Sequence, residues 1–156
     1  MSEADRAGEV VPATDEDEAL DSASEWVAEH TRRYVATGGA DGGEWQGVPC
    51  LVLTTRGRRT GRLRRNALIY VRDGDDYVVV ASKGGADQHP LWYTNLIESP
   101  LVTVQVGSDV FTAHAATVTP DEKGRLWPAV TGVWPAYDEY QAKTARDIPV
   151  VRLRPV

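Results

Sequence analysis

Residues 54–70 read TTRGRRTGRLRRNALIY, and the reading of this stretch decides the fold. It carries six arginines (Arg56, Arg58, Arg59, Arg62, Arg64 and Arg65) and no acid. An apolar, β-like run stands on each side, Val48–Thr55 before and Ala67–Arg72 after. Gly57 and Gly61 bracket the middle, where a tight turn calls for the left-handed backbone that glycine adopts without strain. The stretch therefore reads as strand, arginine-rich turn, strand. Guanidinium groups packed this densely repel one another, and an anion among them relieves that cost through bidentate pairing. Charge alone leaves two readings open: a polyanion-binding rim on a β scaffold, or a solvated basic hairpin.

Working outward, more strands follow. Leu63–Arg72 reads as the second strand, Asp73-Gly74-Asp75 as a hairpin turn, and Asp76–Ser82 as the third strand. Three consecutive valines in that strand predict a central position covered on both faces. Leu101–Val106 and Val110–Val118 alternate in polarity and flank Gly107-Ser108-Asp109, a second hairpin. Ile148–Leu153 is the last strand. Short helices lie between: Gln88–Glu98 with Pro90 in its first turn, and Tyr137–Arg146 near the end. Between them, Pro120-Asp121-Glu122 opens a helix that carries Leu126, Trp127 and Val130 and is interrupted by Pro135. The pattern predicts a mainly β, α+β domain, a small barrel of six antiparallel strands without exposed edges. Upstream, Leu20, Trp26, Val27, His30, Tyr34 and Val35 recur at helical spacing, which predicts an N-terminal helix to about Thr37, ended by Gly38 and Gly39. Gly38–Gly47 reads as a flexible loop whose Trp45 packs on the barrel mouth or, as the weaker reading, on a ligand. Residues 1–18 read as an acidic, disordered tail and residues 19–156 as a single domain.

Composition narrows the function. A chain of 156 residues, 42% apolar, suits one domain with a real core. Residues 1–29 hold ten acids and one base, and residues 30–156 hold thirteen acids and sixteen bases. The folded part is thus mildly basic, with its excess focused on the arginine turn, where it steers anions. The lone cysteine, Cys50, sits in VPCLVL and reads as a buried small hydrophobe in a reducing compartment. No apolar leader and no bilayer-length run is visible, which predicts a cytoplasmic protein without a transmembrane segment. His30, His89 and His114 are far apart, so no metal site is expected. No nucleophile elbow or lysine-terminated phosphate loop occurs, and the acids sit in turns and at helix starts. An enzyme built this way draws its chemistry from a cofactor. Nucleic acid is disfavoured as a partner, because no aromatic is interleaved with the arginines. A flat-ring site fits better: Ser82-Lys83-Gly84-Gly85 ends the third strand, and Trp92 and Tyr93 follow. Trp134, Tyr137 and Tyr140 read equally as core or as an aromatic lid over a planar ligand.

The ASKGG block at 81–85, the following proline, tryptophan–tyrosine and asparagine–leucine pairs, and the terminal YQ…T-R…IP-V block carry a resemblance. From Val48 to Pro155 the chain resembles the deazaflavin-dependent nitroreductase family, FMN-binding-like split β-barrel oxidoreductases that use coenzyme F420, an 8-hydroxy-5-deazaflavin. The resemblance implies F420 as the cofactor, with FMN the weaker candidate. It implies that Arg58, Arg59, Thr60, Arg64, Arg65 and Asn66 hold the phosphate and oligoglutamate tail, with Ala67 and Leu68 continuing the contact. Val80, Ala81, Ser82 and Lys83 would lie along the ring. Leu91, Trp92, Tyr93 and Asn95 would close the pocket. Tyr137 would touch the cofactor, and Ser82, Trp134 and Tyr140 would face the electron acceptor. The family often has lysine at Arg59, proline at Ala67 and tyrosine at Trp134, and Trp134 enlarges one wall of the acceptor pocket. Relatives can associate with membranes through their N-terminal segment, whereas the acidic segment here would be repelled by anionic lipid. The implied activity is hydride transfer to a small electron-poor acceptor such as a quinone, a nitroaromatic or an activated enone, with a separate dehydrogenase regenerating the cofactor. The alternative is a non-catalytic module that carries deazaflavin, FMN or haem. The expected assembly is a monomer or homodimer.

Overall fold

Two tight hairpins set the register of the sheet. Gly107 at φ 61° lets the chain reverse so that Val106 faces Asp109, and Gly74 at φ 63° does the same between Asp73 and Asp76. The computed structural model describes residues 22–45 and 47–156, of which 22–28 and 45 through their backbone alone. The acidic tail at 1–18, Leu20 and the side chains of Trp26, Val27 and Trp45 lie outside that description.

Helix α1 spans Ser22–Thr37, and the strands that follow are β1 (Glu44–Trp45), β2 (Val48–Arg56), β3 (Leu63–Ile69), β4 (Val71–Asp73) and β5 (Asp76–Val80). A 3-10 turn at Lys83–Gly85 leads to α2 (Leu91–Glu98), then β6 (Leu101–Val106) and β7 (Asp109–Thr117). Helices α3 (Pro120–Val133) and α4 (Ala136–Lys143) precede the last strand, β8 (Val150–Pro155). The sheet runs β1-β2-β6-β7-β8-β5-β4, with β3 on the other edge of β2, and every pairing is antiparallel.

Three expectations need correction. The single strand Leu63–Arg72 is two. Tyr70 makes the last bond to the first ladder, its amide donating to the Pro49 carbonyl at 3.3 Å, and beyond it the chain joins β5 instead of β2. One straight strand cannot serve both ladders, so it bends. Counting that split and the short β1 inside the loop expected to be irregular, eight strands replace six. Nor does the barrel close. Among the described residues no ladder joins β3 to β4 or β5, so the sheet curls into an open half-barrel. Pro90, expected inside the first turn of α2, is instead its N-cap.

Alternation along β2 sorts the side chains. Leu51 and Leu53 point into the main core with Val79, Ala81, Trp92, Leu96 and Leu153. Cys50 and Val52 point to the other face, where Tyr34 of α1 covers them. Burial pushes the Cys50 thiol up to about 11, so it stays a neutral small hydrophobe. Along β5, Val78 and Val80 pack against α3 and α4 while Val79 faces the main core. The valine run is covered on both faces, although β5 lies second from the sheet's end rather than at its centre. Helix α3 opens with a capping box: Thr119 Oγ1 accepts from the Glu122 amide at 3.2 Å, and the Glu122 side chain accepts from the Thr119 amide at 3.4 Å.

Candidate functional site

The arginine turn is closed by its own backbone. The Gly57 amide donates to the Arg62 carbonyl at 2.7 Å, and the Gly61 amide donates to the Gly57 carbonyl at 2.8 Å. Gly61 holds φ 73°, as a tight turn requires, but Gly57 does not adopt positive φ. Glycine serves there for closeness: a Cβ would lie 3.1 Å from the Arg62 carbonyl oxygen and 3.2 Å from Thr60 Oγ1. Arg56, Arg58, Arg59 and Arg62 project into solvent. Arg64 is 6% exposed and donates through Nη2 to Thr60 Oγ1 at 3.2 Å.

Helix α2 fixes this turn from the side. Asn95, 5% exposed, accepts the Arg58 amide on Oδ1 and donates from Nδ2 to Thr55 Oγ1, both at 3.2 Å. Arg58 Nε also reaches Thr94 Oγ1 at 3.4 Å. Together Gly57, Arg58, Arg59, Thr60, Arg64, Leu91 and Asn95 line a cleft that contains no acid. Its donors are guanidinium forks, an amide and a hydroxyl, a set that matches phosphate and carboxylate oxygens.

Arg65 is not among them. In the β2–β3 register Arg64 lies opposite Thr55 and Arg65 opposite Thr54, so the two arginines point to opposite faces of the sheet. Arg65 is 5% exposed, and its Nε has no hydrogen-bond partner. Burial, and after it the nearby Arg32, hold its guanidinium below the usual value. Ala67 shares that face, its amide bound to Thr31 Oγ1 of α1 at 2.9 Å. Asn66 and Leu68 share the face of Arg64, and Leu68 packs on the main core.

The second half of the site is the loop after β5. Ser82 is right-handed at φ −81°, and the next two residues are left-handed, Lys83 at φ 47° and Gly84 at φ 62°. A right-handed residue followed by a left-handed one turns successive N–H groups to one side, the geometry of an anion-binding nest. Lysine at positive φ is uncommon and marks a held conformation. Gly85 permits the close contact with α4, since a Cβ there would meet the Tyr140 backbone at 2.8 Å. Ser82 is 9% exposed and its hydroxyl makes no capping bond.

The aromatics divide. Trp92 is 6% exposed and belongs to the main core, edge-on to Tyr93 at 6.5 Å. Tyr93 packs tilted against His89, ring centroids 4.8 Å apart, and bonds Thr117 through its hydroxyl at 2.8 Å. Trp134, Tyr137 and Tyr140 do not share one helix, because Trp134 caps α3 and Pro135 starts α4. Tyr137 is 6% exposed and enclosed with Val78 and Val80, and burial pushes its hydroxyl well up. Trp134 and Tyr140 hold the outer positions, 3.5 Å apart from Nε1 to hydroxyl oxygen.

Sequence reasoning gave no role to Arg146, the arginine of the terminal YQ…T-R…IP-V block. Its guanidinium donates to the carbonyls of Ala86 at 2.7 Å, Ala81 at 3.2 Å and Ser82 at 2.6 Å, and to His89 Nδ1 at 3.1 Å. An arginine at a helix end reads as solvated, and no local pattern announces contacts across some sixty residues. Thr94 was missed for a similar reason, since its partner Arg58 lies in a distant part of the chain. Among the described residues no three His, Cys, Asp or Glu side chains converge as metal ligands, and no helix is long and apolar enough to cross a membrane.

Comparison with known proteins adds to this geometry. Residues 26–155 match the family described as F420H(2)-dependent quinone reductase. An F420H(2)-dependent quinone reductase of Mycobacterium tuberculosis is 41% identical over 128 residues, covering 80% of this chain and 86% of its own. A solved F420-H2 dependent reductase, FDR-A, shares 37% identity at a TM-score of 0.63, covering 68% of this chain and 94% of its own. A structure described as a domain-swapped dimer shares 36% identity at a TM-score of 0.66, covering 85% of this chain and 100% of its own.

Proposed function

The chain belongs to the F420H(2)-dependent quinone reductase family, and on that premise we propose that it oxidises reduced coenzyme F420 and reduces a quinone, with nitroaromatics and activated enones as further acceptors. The observation that carries this reading is the acid-free cleft of Arg58, Arg59, Thr60 and Arg64, tied through Asn95 to the helix whose other side meets His89 beside the Ser82 loop. The donor set fits an anionic tail. When bound, the deazaflavin supplies the hydride.

The protein's residues bind, orient and shield. Arg58, Arg59 and Arg64 pair with phosphate and glutamate carboxylates, with Thr60 filling the remaining acceptor position. Asn66, on the same face as Arg64, extends that contact along β3. The end of β5 and the Ser82–Gly84 nest would hold the ring, with Tyr93 and Leu91 as the near wall. Ser82 donates its proton in a hydrogen bond to the oxygen that gains negative charge as the acceptor is reduced. Trp134 and Tyr140 cover the acceptor and exclude water. Tyr137 supports that cover from beneath, by packing.

Steady-state reduction of a soluble naphthoquinone by reduced F420 tests this. Arg64→Ala should raise KM for the cofactor about ten-fold or more with little change in kcat, the loss of one charge-assisted pair. Ser82→Ala should lower kcat by about ten-fold or more. Tight cofactor binding without turnover on quinones, nitroaromatics or enones would favour the carrier reading.

A further inference from the structure

Three backbone carbonyls of one loop converge on a single side chain from the far end of the domain. Ala81, Ser82 and Ala86 offer theirs to Arg146, the shortest contact being 2.6 Å to Ser82. Arg146 is itself braced: its amide donates to Thr144 Oγ1 at 3.2 Å, and its carbonyl accepts from Gln141 Nε2 at 2.8 Å. Lys143 adds a contact to the Gly84 carbonyl at 3.3 Å, and Thr144 one to Asp87 at 3.2 Å. The C-terminal end of α4 thus gathers the carbonyls of the loop on one side. A guanidinium offers a planar fork of donors, which a lysine ammonium does not reproduce.

We propose that Arg146 is a positioning residue for the reaction: by drawing in the carbonyls of Ala81, Ser82 and Ala86 it holds the Ser82–Gly84 nest in its left-handed form, and His89 makes that hold dependent on proton concentration. The proposal rests on the functional reading above and extends it to a residue to which that reading gives no contact with cofactor or acceptor. Arginine only donates, so His89 must accept on Nδ1 and carry its proton on Nε2. A second proton on Nδ1 removes the acceptor and sets two cations face to face. The groups around His89 are Arg146, the Tyr93 ring at 4.8 Å, and Asp87 on the same loop, whose carboxylate is bound by Thr144. Burial, then Arg146, hold His89 below its ordinary 6.5, so the clamp is intact above that value and loosens as the pH falls beneath it.

The test uses the full chain and oxidised F420, with affinity read by fluorescence from about pH 8 to about pH 5. Arg146→Ala should weaken binding about ten-fold or more, and added guanidinium ion should restore part of it. Arg146→Lys should bind as weakly as the alanine variant. His89→Gln should bind as wild type at the alkaline end and flatten the acid limb. Arg146→Ala that folds and binds F420 with wild-type affinity overturns the proposal, as does a loss that guanidinium fails to restore. Thermal unfolding of the cofactor-free protein separates the two readings. Wild type should lose stability with acid in a way that His89→Gln abolishes, whether or not F420 binds. An unchanged acid profile in His89→Gln contradicts the clamp alone.

Discussion

Arg64 and Arg65 are adjacent in sequence and face opposite ways. Strand alternation sends Arg64 to the arginine-lined cleft and Arg65 beneath α1, where no carboxylate pairs with it among the described residues. A buried guanidinium that no described carboxylate pairs is costly to keep there. Arg65→Met should therefore raise stability by about 1–3 kcal/mol, measured by denaturant unfolding, and leave F420 affinity unchanged. A lower stability, or weaker cofactor binding, would show that Arg65 serves the site after all. Asn95 is the converse case, a buried polar group satisfied at both ends. Asn95→Leu leaves the Arg58 amide and Thr55 Oγ1 without their partner and should cost about 1–3 kcal/mol, with cofactor affinity falling in parallel as the turn loosens. Which arginines share a side was implicit in the β2–β3 register. The register itself was not, because a run of arginines with no apolar alternation does not say where pairing begins.

At the scale of elements, the β4–β5 hairpin is tied down by charge. Arg152 bonds Asp73 at 2.8 Å, Asp76 at 3.0 Å and Glu122 at 3.1 Å, and Arg125 and Arg154 complete the network. Hydrogen bonds from Arg125 and Arg152 hold the Asp73 carboxyl down to about 2. A lowered carboxylate contributes stability above its ordinary 3.8 and loses it as acid approaches about 2. Thermal midpoints followed down through that window should fall more steeply in wild type than in Asp73→Asn, which starts lower and stays flatter. Equal slopes would mean that the network contributes nothing measurable. Both hairpins were legible, because Asp-Gly and Gly-Ser turns carry their geometry in their residues. The break at Tyr70 was not, since it reflects a change of neighbour that the apolar run Ala67–Arg72 does not encode. Pro135 marked the boundary between α3 and α4, yet the inward turn of Tyr137 came from packing against Val78 and Val80.

Across the whole molecule, α2 connects the two halves of the candidate site. Its Thr94 and Asn95 hold the arginine turn, Trp92 and Leu96 fill the core, and Tyr93 packs against His89 beside Arg146. The class of the fold was readable from strand-length apolar runs and hairpin turns. Whether the sheet closed was not, because closure depends on distant edges meeting. The same holds for the site: its charge was legible as a cluster, whereas the clamp depends on contacts between distant parts of the chain. The central claim is that guanidinium groups at one rim grasp the anionic tail of F420. The most direct measurement compares the affinity of this protein for F420 and for 8-hydroxy-5-deazariboflavin, the same ring without phosphate or glutamates. The account predicts that F420 binds about ten-fold or more tightly, that salt erodes the difference, and that Arg64→Ala removes most of it. Equal affinity for the two, unaffected by salt or by Arg64→Ala, would contradict it.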